Sequence, residues 1–228
     1  MINIKLRDLF KAGVHVGHEV CHWNPKMFSY IEGQYHNNHI INLVKTLHFL
    51  NEASIFSHQS AKKGKTFLFI GTKKEASVLI ARAALDCNSY YINYRWLSGT
   101  LSNWVTLKSR LLQFKKLKEQ ERNGIFNLLS KKEASLYNKE LQTLRKYLKG
   151  IQNMEKLPDI AIIIDQNYEK IAVKECRSLG IPIISILDTN CDPNLIDIPI
   201  PGNDDGLDSI ELILKVLSKS ILRGKKNL

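Results

Sequence analysis

The fold turns on a stretch near the middle of the chain, Tyr94-Arg95-Trp96-Leu97-Ser98-Gly99-Thr100-Leu101-Ser102-Asn103-Trp104, which we call the central turn. Gly99 supplies backbone freedom for a turn, and the hydroxyls beside it are typical of residues that cap a helix. A long helical pattern rich in Lys and Arg follows. Aromatic rings, a glycine turn and adjacent cations suit contact with phosphates and unstacked bases. Two tryptophans buried beside a helix start would also give this pattern, because buried Trp is common.

Composition favours an anionic partner. Apolar residues make up 44% of the chain, enough for a substantial core, and the net charge is +11 with a pI of about 9.4. Nucleic acid and an anionic membrane surface both fit such a charge. No apolar run approaches the roughly 20 residues that a membrane helix needs, so we expect no membrane partner. The four cysteines are scattered without paired spacing, which favours a reducing compartment.

Buried-strand patterns alternate with helical patterns along most of the chain. The strand patterns cover residues 65–71, 160–164 and 183–187, and helical patterns follow at 75–86, 168–179 and 207–222. Alternation of this kind predicts a parallel sheet with helices on both faces. The predicted fold class is therefore a three-layer α/β domain of the flavodoxin or Rossmann type.

Residues 105–150 form a distinct basic module inside that domain. Apolar residues at heptad-like spacing, with a capping box at Ser130 and Glu133, predict two antiparallel helices that bury their stripes against each other. The module holds twelve Lys or Arg and four Glu, so it carries +8 of the net +11. A solvated coiled coil and a surface for RNA or a partner are both consistent with this charge. The predicted domains are residues 1–104 with 151–228, and the insertion 105–150.

Acidic residues follow one predicted strand and precede the last predicted helix. Asp188 and Asp192 follow the strand at 183–187, and Asp204 and Asp205 precede the last helix. Ligands bind at the carboxyl edge of open α/β sheets, and carboxylate oxygens suit Mg²⁺. The sequence therefore predicts a possible Mg²⁺ site at Asp188, Asp204 and Asp205, with His18 as a further ligand. The alternative is that Asp204 or Asp205 caps the last helix.

Two other segments could carry chemistry. Three histidines and one cysteine between residues 15 and 22 invite a zinc hypothesis, but no second ligand pair of standard spacing follows. Gly71-Thr72-Lys73 joins a strand to a helix and could bind an anion, although no standard phosphate loop is present. A nucleotide- or metal-dependent enzyme on this scaffold is therefore the alternative function; no nucleophile–base pair supports it.

The central turn resembles the motif W-L-G-G-x-L-T-N-W of the small-subunit ribosomal protein S2 family. Other segments match the same family in the same order along nearly the whole chain: Ala12 to His18, Trp23-Asn24-Pro25-Lys26-Met27, Ile40-Ile41-Asn42-Leu43, Gly71-Thr72-Lys73, Leu157-Pro158-Asp159, Gly180-Ile181-Pro182, Asp188-Thr189-Asn190-Cys191-Asp192-Pro193 and Ile200-Pro201-Gly202-Asn203-Asp204-Asp205. The sequence departs from the family pattern at Ser98, Ser102 and Gly202, where Gly, Thr and Ala are usual.

This resemblance implies a structural, non-enzymatic constituent of the small ribosomal subunit that binds 16S-type ribosomal RNA and neighbouring ribosomal proteins and is not a homo-oligomer. Matching motif positions and charge predict the following RNA-binding residues: Trp23, Asn24, Lys26, Arg95, Trp96, Thr100, Asn103, Trp104, Lys108 and Arg110. Cys191 in its motif, the short length and abundant Ile, Asn and Lys resemble the plastid branch. We therefore expect a chloroplast ribosome, with the bacterial cytoplasm as the alternative.

Overall fold

The computed structural model describes residues 4–226, so the outermost residues of the predicted α/β domain, 1–3 and 227–228, lie outside it. The helices are α1 (Leu6–Lys11), α2 (Leu43–Lys62), α3 (Ser77–Asp86), α4 (Trp104–Arg122), α5 (Lys131–Leu148), α6 (Lys170–Ser178) and α7 (Leu207–Lys225). The strands are β1 (Val16–Glu19), β2 (Ile31–Tyr35), β3 (Asn38–Ile41), β4 (Phe67–Ile70), β5 (Tyr90–Ile92), β6 (Ile160–Ile164), β7 (Ile183–Leu187) and β8 (Ile198–Pro201).

Five parallel strands form the main sheet in the order β5-β4-β6-β7-β8. Numbered along the chain, this is the 2-1-3-4-5 order of flavodoxin-like folds. The predicted three-layer α/β fold is therefore confirmed. No sequence pattern predicted β8, because its two prolines are atypical of a strand. Proline is tolerated there because β8 is an edge strand.

Alternation along the strands divides the interior into two cores. Phe67 and Phe69 of β4 face a first core with α2, α3 and α7, whereas Leu68 and Ile70 face a second core with α4, α5 and α6. This period of two follows from the pleat of a strand, which points successive side chains to opposite faces. The strands are buried throughout because both faces are covered.

A small antiparallel sheet, ordered β1-β3-β2, packs near the carboxyl end of β7. A methyl group on Gly17 of β1 would lie 2.7 Å from a Thr189 side-chain carbon, so glycine permits this close approach. β2 and β3 form a hairpin, and β2 begins at Ile31, directly after a 3₁₀ helix over Pro25–Tyr30. The small sheet fixes His18 beside the edge of the main sheet.

The helical insertion, α4 and α5, packs its apolar stripe against the second core. The buried members of that stripe are Leu107, Leu111, Phe114, Leu117, Leu141 and Leu148. Leu117 belongs to this stripe, whereas its neighbour Lys118 is exposed. The capping box at Ser130 and Glu133 forms as predicted. No helix among residues 4–226 combines the length and apolar character needed to cross a membrane.

Candidate nucleic-acid interface

A buried carboxylate from α6 holds the central turn in shape. Glu175 Oε1 accepts hydrogen bonds from the indole Nε1 of Trp96 (3.1 Å) and the backbone N–H of Gly99 (2.8 Å). Its Oε2 accepts from the backbone N–H groups of Leu101 (2.9 Å) and Ser102 (3.1 Å). Burial by itself would raise the pKa of this carboxyl, but these donors hold the pKa below its ordinary value. Glu175 therefore sets the conformation of the turn as a charged group.

The same contacts revise the predicted role of two residues. Trp96 is only 7% exposed and Thr100 only 4% exposed. The Thr100 hydroxyl donates to the backbone oxygen of Leu97, and the Trp96 ring lies in the second core. The prediction that these two side chains contact RNA directly is therefore wrong for this conformation, because both are enclosed by the protein. They support the turn instead.

The other predicted residues of this region reach the surface. Four have exposed side chains: Arg95, Asn103, Lys108 and Arg110. Trp104 is half-buried, with its ring packed on the second core. Asn103 also caps α4, since its Oδ1 accepts from the backbone N–H of Thr106 at 3.4 Å. Arg95 and the first turns of α4 thus present cations beside a rigid turn.

The predicted loop at Trp23, Asn24 and Lys26 lies at the carboxyl end of β7. Trp23 is half-buried, and its ring centroid is 5.3 Å from that of His39. The backbone N–H of Asn24 donates to the carbonyl of Thr189 at 2.8 Å. Lys26 Nζ lies 2.5 Å from Asp192 Oδ2 and keeps an exposed side chain. Asp192 therefore pairs with Lys26, and the expectation that it gathers with the other aspartates at this edge is wrong.

The positive charge of the insertion faces solvent. Of the twelve Lys and Arg in residues 105–150, all but Arg145 are exposed. Among these twelve, only Arg145 forms a salt bridge in the described part of the chain, with Glu121 at 2.7 Å. Exposed cations that lack a salt-bridge partner are available to neutralise phosphates. The predicted charged surface is present on α4 and α5.

A cluster of acidic groups, here the acidic edge, lies at the carboxyl ends of β7 and β8. His18 Nδ1 is 3.0 Å from Asp188 Oδ2, and His18 Nε2 is 3.5 Å from Asp205 Oδ2. The hydrogen bond to Asp188 raises the pKa of His18 to about 9. Asp204 is 1% exposed, and its Oδ2 is buried without a hydrogen-bond partner. Burial and the neighbouring carboxylates raise the pKa of Asp204 to about 8.

Lys73 is the last member of the acidic edge. Its contacts contradict the hypothesis that Gly71-Thr72-Lys73 binds a nucleotide. Its Nζ lies 2.6 Å from Asp165 Oδ2, 2.7 Å from Asp205 Oδ1 and 3.4 Å from Asp204 Oδ1. The preceding backbone N–H, that of Thr72, donates to a carboxylate oxygen of Glu169 at 2.6 Å. Both groups that would bind a phosphate at this turn are therefore already engaged by carboxylates.

The zinc hypothesis for residues 15–22 also fails on geometry. His18 faces the acidic edge, while His15 stacks on Phe10 with ring centroids 4.4 Å apart. Cys21 and His22 lie together with Glu19 on the surface, and all three are exposed. The four predicted ligands therefore do not converge on one point.

Two features of the site were not predicted from the sequence: the contacts of Glu175 and those of Asn203 before the last helix. Nothing in the helical pattern distinguishes Glu175 from an exposed glutamate, because its partners lie more than 70 residues earlier in the chain. The predicted cap of the last helix is also wrong. Asn203 Oδ1 accepts from the backbone N–H groups of Asp205 and Gly206, both at 2.9 Å. The carboxylates of Asp204 and Asp205 are therefore free to form the acidic edge.

Comparison with known proteins identifies the family. The family model described as ribosomal protein S2 matches residues 9–224. The small ribosomal subunit protein uS2c of Trieres chinensis is 60% identical over 225 residues, which cover 99% of this chain and 98% of the relative. The uS2c protein of Phaeodactylum tricornutum is 56% identical over 99% of this chain and 100% of its own length. The uS2 protein of Trichormus variabilis is 49% identical over 97% of this chain and 84% of its own length. The chain belongs to the ribosomal protein S2 family.

Proposed function

We propose that the chain is a structural constituent of the small ribosomal subunit in plastids, where it binds 16S-type ribosomal RNA and neighbouring ribosomal proteins as a single copy. Family membership across residues 9–224 carries the proposal. The relatives named uS2c, at up to 60% identity among those compared, support the plastid location over the bacterial cytoplasm. Membership of this family argues for a structural constituent of the ribosome and against an enzyme.

The mechanism is neutralisation of phosphates by a preformed surface. The exposed lysines and arginines of the helical insertion displace counterions from the RNA backbone. Arg95 belongs to a turn that Glu175 fixes, so little backbone entropy is lost when it binds. A-form geometry and unpaired loop bases then determine where on the RNA the protein sits.

Sedimentation of native plastid extract across a salt series tests this proposal. The chain should co-migrate with small subunits at low salt and dissociate only as salt rises, because each phosphate contact releases counterions. Mass spectrometry identifies the chain in each gradient fraction. If the chain stays in the free-protein fractions at every salt concentration, the proposal fails.

A double variant tests the predicted RNA-facing cations. Arg95→Ala combined with Lys108→Ala should reduce incorporation into small subunits and flatten the dependence of RNA affinity on salt. Lys62→Ala combined with Lys63→Ala is the matched control, since both lysines are exposed at the far end of α2. If both double variants lose incorporation into small subunits to the same extent, Arg95 and Lys108 act only through overall charge.

We also propose that His18, Asp188 and Asp204 bind one divalent cation. A ligand atom from each of these three side chains lies within 4.8 Å of the others. The supporting observation is the buried Oδ2 of Asp204, which has no hydrogen-bond partner; such an atom is costly unless something binds it. The sequence suggested Mg²⁺ for this edge, but an imidazole nitrogen in the ligand set favours Zn²⁺.

Thermal unfolding of the chelator-treated chain, with Zn²⁺ or Mg²⁺ added, tests the cation site. A bound ion should raise the Tm, and Asp204→Asn should abolish that rise. Asp192→Asn is the control, because Asp192 lies at the same edge of the sheet but pairs with Lys26. Failure of both ions to raise the Tm of the native chain, or an undiminished rise in Asp204→Asn, would exclude the site.

A further inference from the structure

An open cavity of about 470 Å³ lies at the carboxyl ends of β4, β5 and β6. After β4 the chain crosses to α3 on the first core, whereas after β6 it crosses to α6 on the second core. Connections that diverge in this way leave a crevice at the sheet edge, which is the usual ligand position in this class of fold. The acidic edge fills the side of this crevice nearer β7, and the cavity occupies the side nearer β5.

Three tyrosines line this cavity, and we call it the tyrosine cleft after Tyr94, Tyr147 and Tyr168. The rings of Tyr94 and Tyr147 meet edge to face with centroids 5.2 Å apart. Tyr168 comes from the opposite wall, after β6, and is 60% exposed. Exposed aromatic rings facing a cavity provide surfaces on which an unpaired base can stack.

Cations surround the tyrosine cleft. Lys74 and Arg95 line it and are exposed, and Lys146 Nζ lies 4.0 Å from the centre of the Tyr94 ring. Aromatic surfaces flanked by cations are the combination that binds single-stranded RNA, since rings take bases and cations take phosphates. An apolar ligand without a negative charge would gain no binding free energy from these cations.

We propose that the tyrosine cleft receives one unstacked nucleotide of single-stranded RNA, with its base against the tyrosine rings and its phosphates near Lys74 and Arg95. The inference rests on the proposed function and adds the feature of RNA that the protein recognises. A free nucleotide fits less well. The turn after β4 offers no phosphate cradle, because Thr72 and Lys73 are engaged by carboxylates, and the cleft is open to solvent. A base held in an RNA strand needs only the stacking surface.

Binding of a short unstructured RNA of mixed sequence to the full chain tests the inference. Tyr168→Ala should weaken binding roughly 5- to 150-fold, the range expected for the loss of one stacked base. Tyr168→Phe should bind like the native chain, because stacking needs the ring and not the hydroxyl. Tyr35→Ala is the matched control, since Tyr35 is an equally exposed tyrosine on β2. The effect should vanish with a duplex of the same sequence, whose bases are already paired.

Equal binding by Tyr168→Ala and the native chain would overturn the inference, and so would equal weakening by Tyr168→Ala and Tyr35→Ala. Competition by adenosine monophosphate at concentrations similar to those of the RNA would show a free-nucleotide site and overturn the assignment to an RNA strand. Co-sedimentation with small subunits distinguishes the two proposals. If the chain co-sediments and Tyr168→Ala has no effect on RNA binding, the proposed function stands and the tyrosine cleft does not.

Discussion

Replacing Glu175 by Gln should destabilise the chain strongly, because one carboxylate accepts hydrogen bonds from four N–H groups of the central turn. Each carboxylate oxygen accepts from two N–H groups. A glutamine has one acceptor oxygen, so its NH₂ group would face the other two donors. Leaving two donors unpaired at about 1–3 kcal/mol each predicts a loss of about 2–6 kcal/mol. The global fold should survive, since the two apolar cores are unchanged.

Urea unfolding followed by tryptophan fluorescence measures this loss, and Trp96 reports on the turn itself. Lys174→Gln is the control, because Lys174 is the exposed neighbour on the same helix and should change the unfolding free energy little. A decrease in the unfolding free energy of Glu175→Gln below about 1 kcal/mol would refute the reasoning, because leaving two donors unpaired should cost at least about 2 kcal/mol.

The pH dependence of stability gives a second readout for Glu175. Its pKa is lower in the folded chain than its ordinary value of 4.5, so the unfolded chain takes up a proton first as the pH falls. Its stabilising contribution is complete above that ordinary value and is lost as the pH falls through the lowered pKa of the folded state. Glu175→Gln should therefore lose less stability than the native chain over this acid range. Parallel curves for the two proteins would contradict the assignment.

Three further substitutions test the packing and the acidic edge. Gly224→Ala should cost about 1–3 kcal/mol in urea unfolding, because its methyl group would lie 2.5 Å from a backbone oxygen of α2; Gly33→Ala, with no neighbouring atom within 4 Å, should be tolerated. Leu111→Ala should cost about 2–5 kcal/mol in the same assay, whereas Leu112→Ala should change little, because only Leu111 is buried in the second core. Lys73→Gln should cost about 3–5 kcal/mol by removing the cation shared by three carboxylates. In thermal unfolding, the stability that Lys73→Gln loses should shrink at acid pH, because Lys73 lowers the pKa of Asp205 and its contribution there is lost once Asp205 is protonated.

Elements with a strong local pattern could be predicted to the residue. The strands Ile160–Ile164 and Ile183–Leu187 are nearly continuous apolar runs, and the structure gives them the bounds that those runs predict. β8 has no such pattern, because its prolines and its place at the sheet edge hide it. Local pattern therefore predicts the central strands better than the edge.

The site residues were harder to predict, since their orientation depends on partners far away in the chain. Arg95 and Trp96 are adjacent, yet one is exposed and the other is enclosed by contact with Glu175. No property of the central turn alone distinguishes them. The gathering of Asp188 and Asp204 was predictable, because the carboxyl ends of parallel strands meet at one edge, whereas β1 of the small antiparallel sheet brings His18 to them. The role of Lys73 was not predictable, because its partners Asp165 and Asp205 come from two different loops.

The acidic edge also explains how a strongly basic chain carries several carboxylates without repelling RNA. Lys73 and His18 each contact at least two of these carboxylates. Burial and the neighbouring carboxylates raise the pKa of Asp204, which disfavours a further negative charge at this edge. The negative charge of the edge is therefore largely compensated inside the fold. The cations of the helical insertion, Arg145 apart, have no salt-bridge partners among the described residues. Since compensated charge produces little long-range field and exposed charge attracts counterions, we expect the edge to contribute to the stability of the sheet, and we expect the insertion and the turn before it to face the RNA.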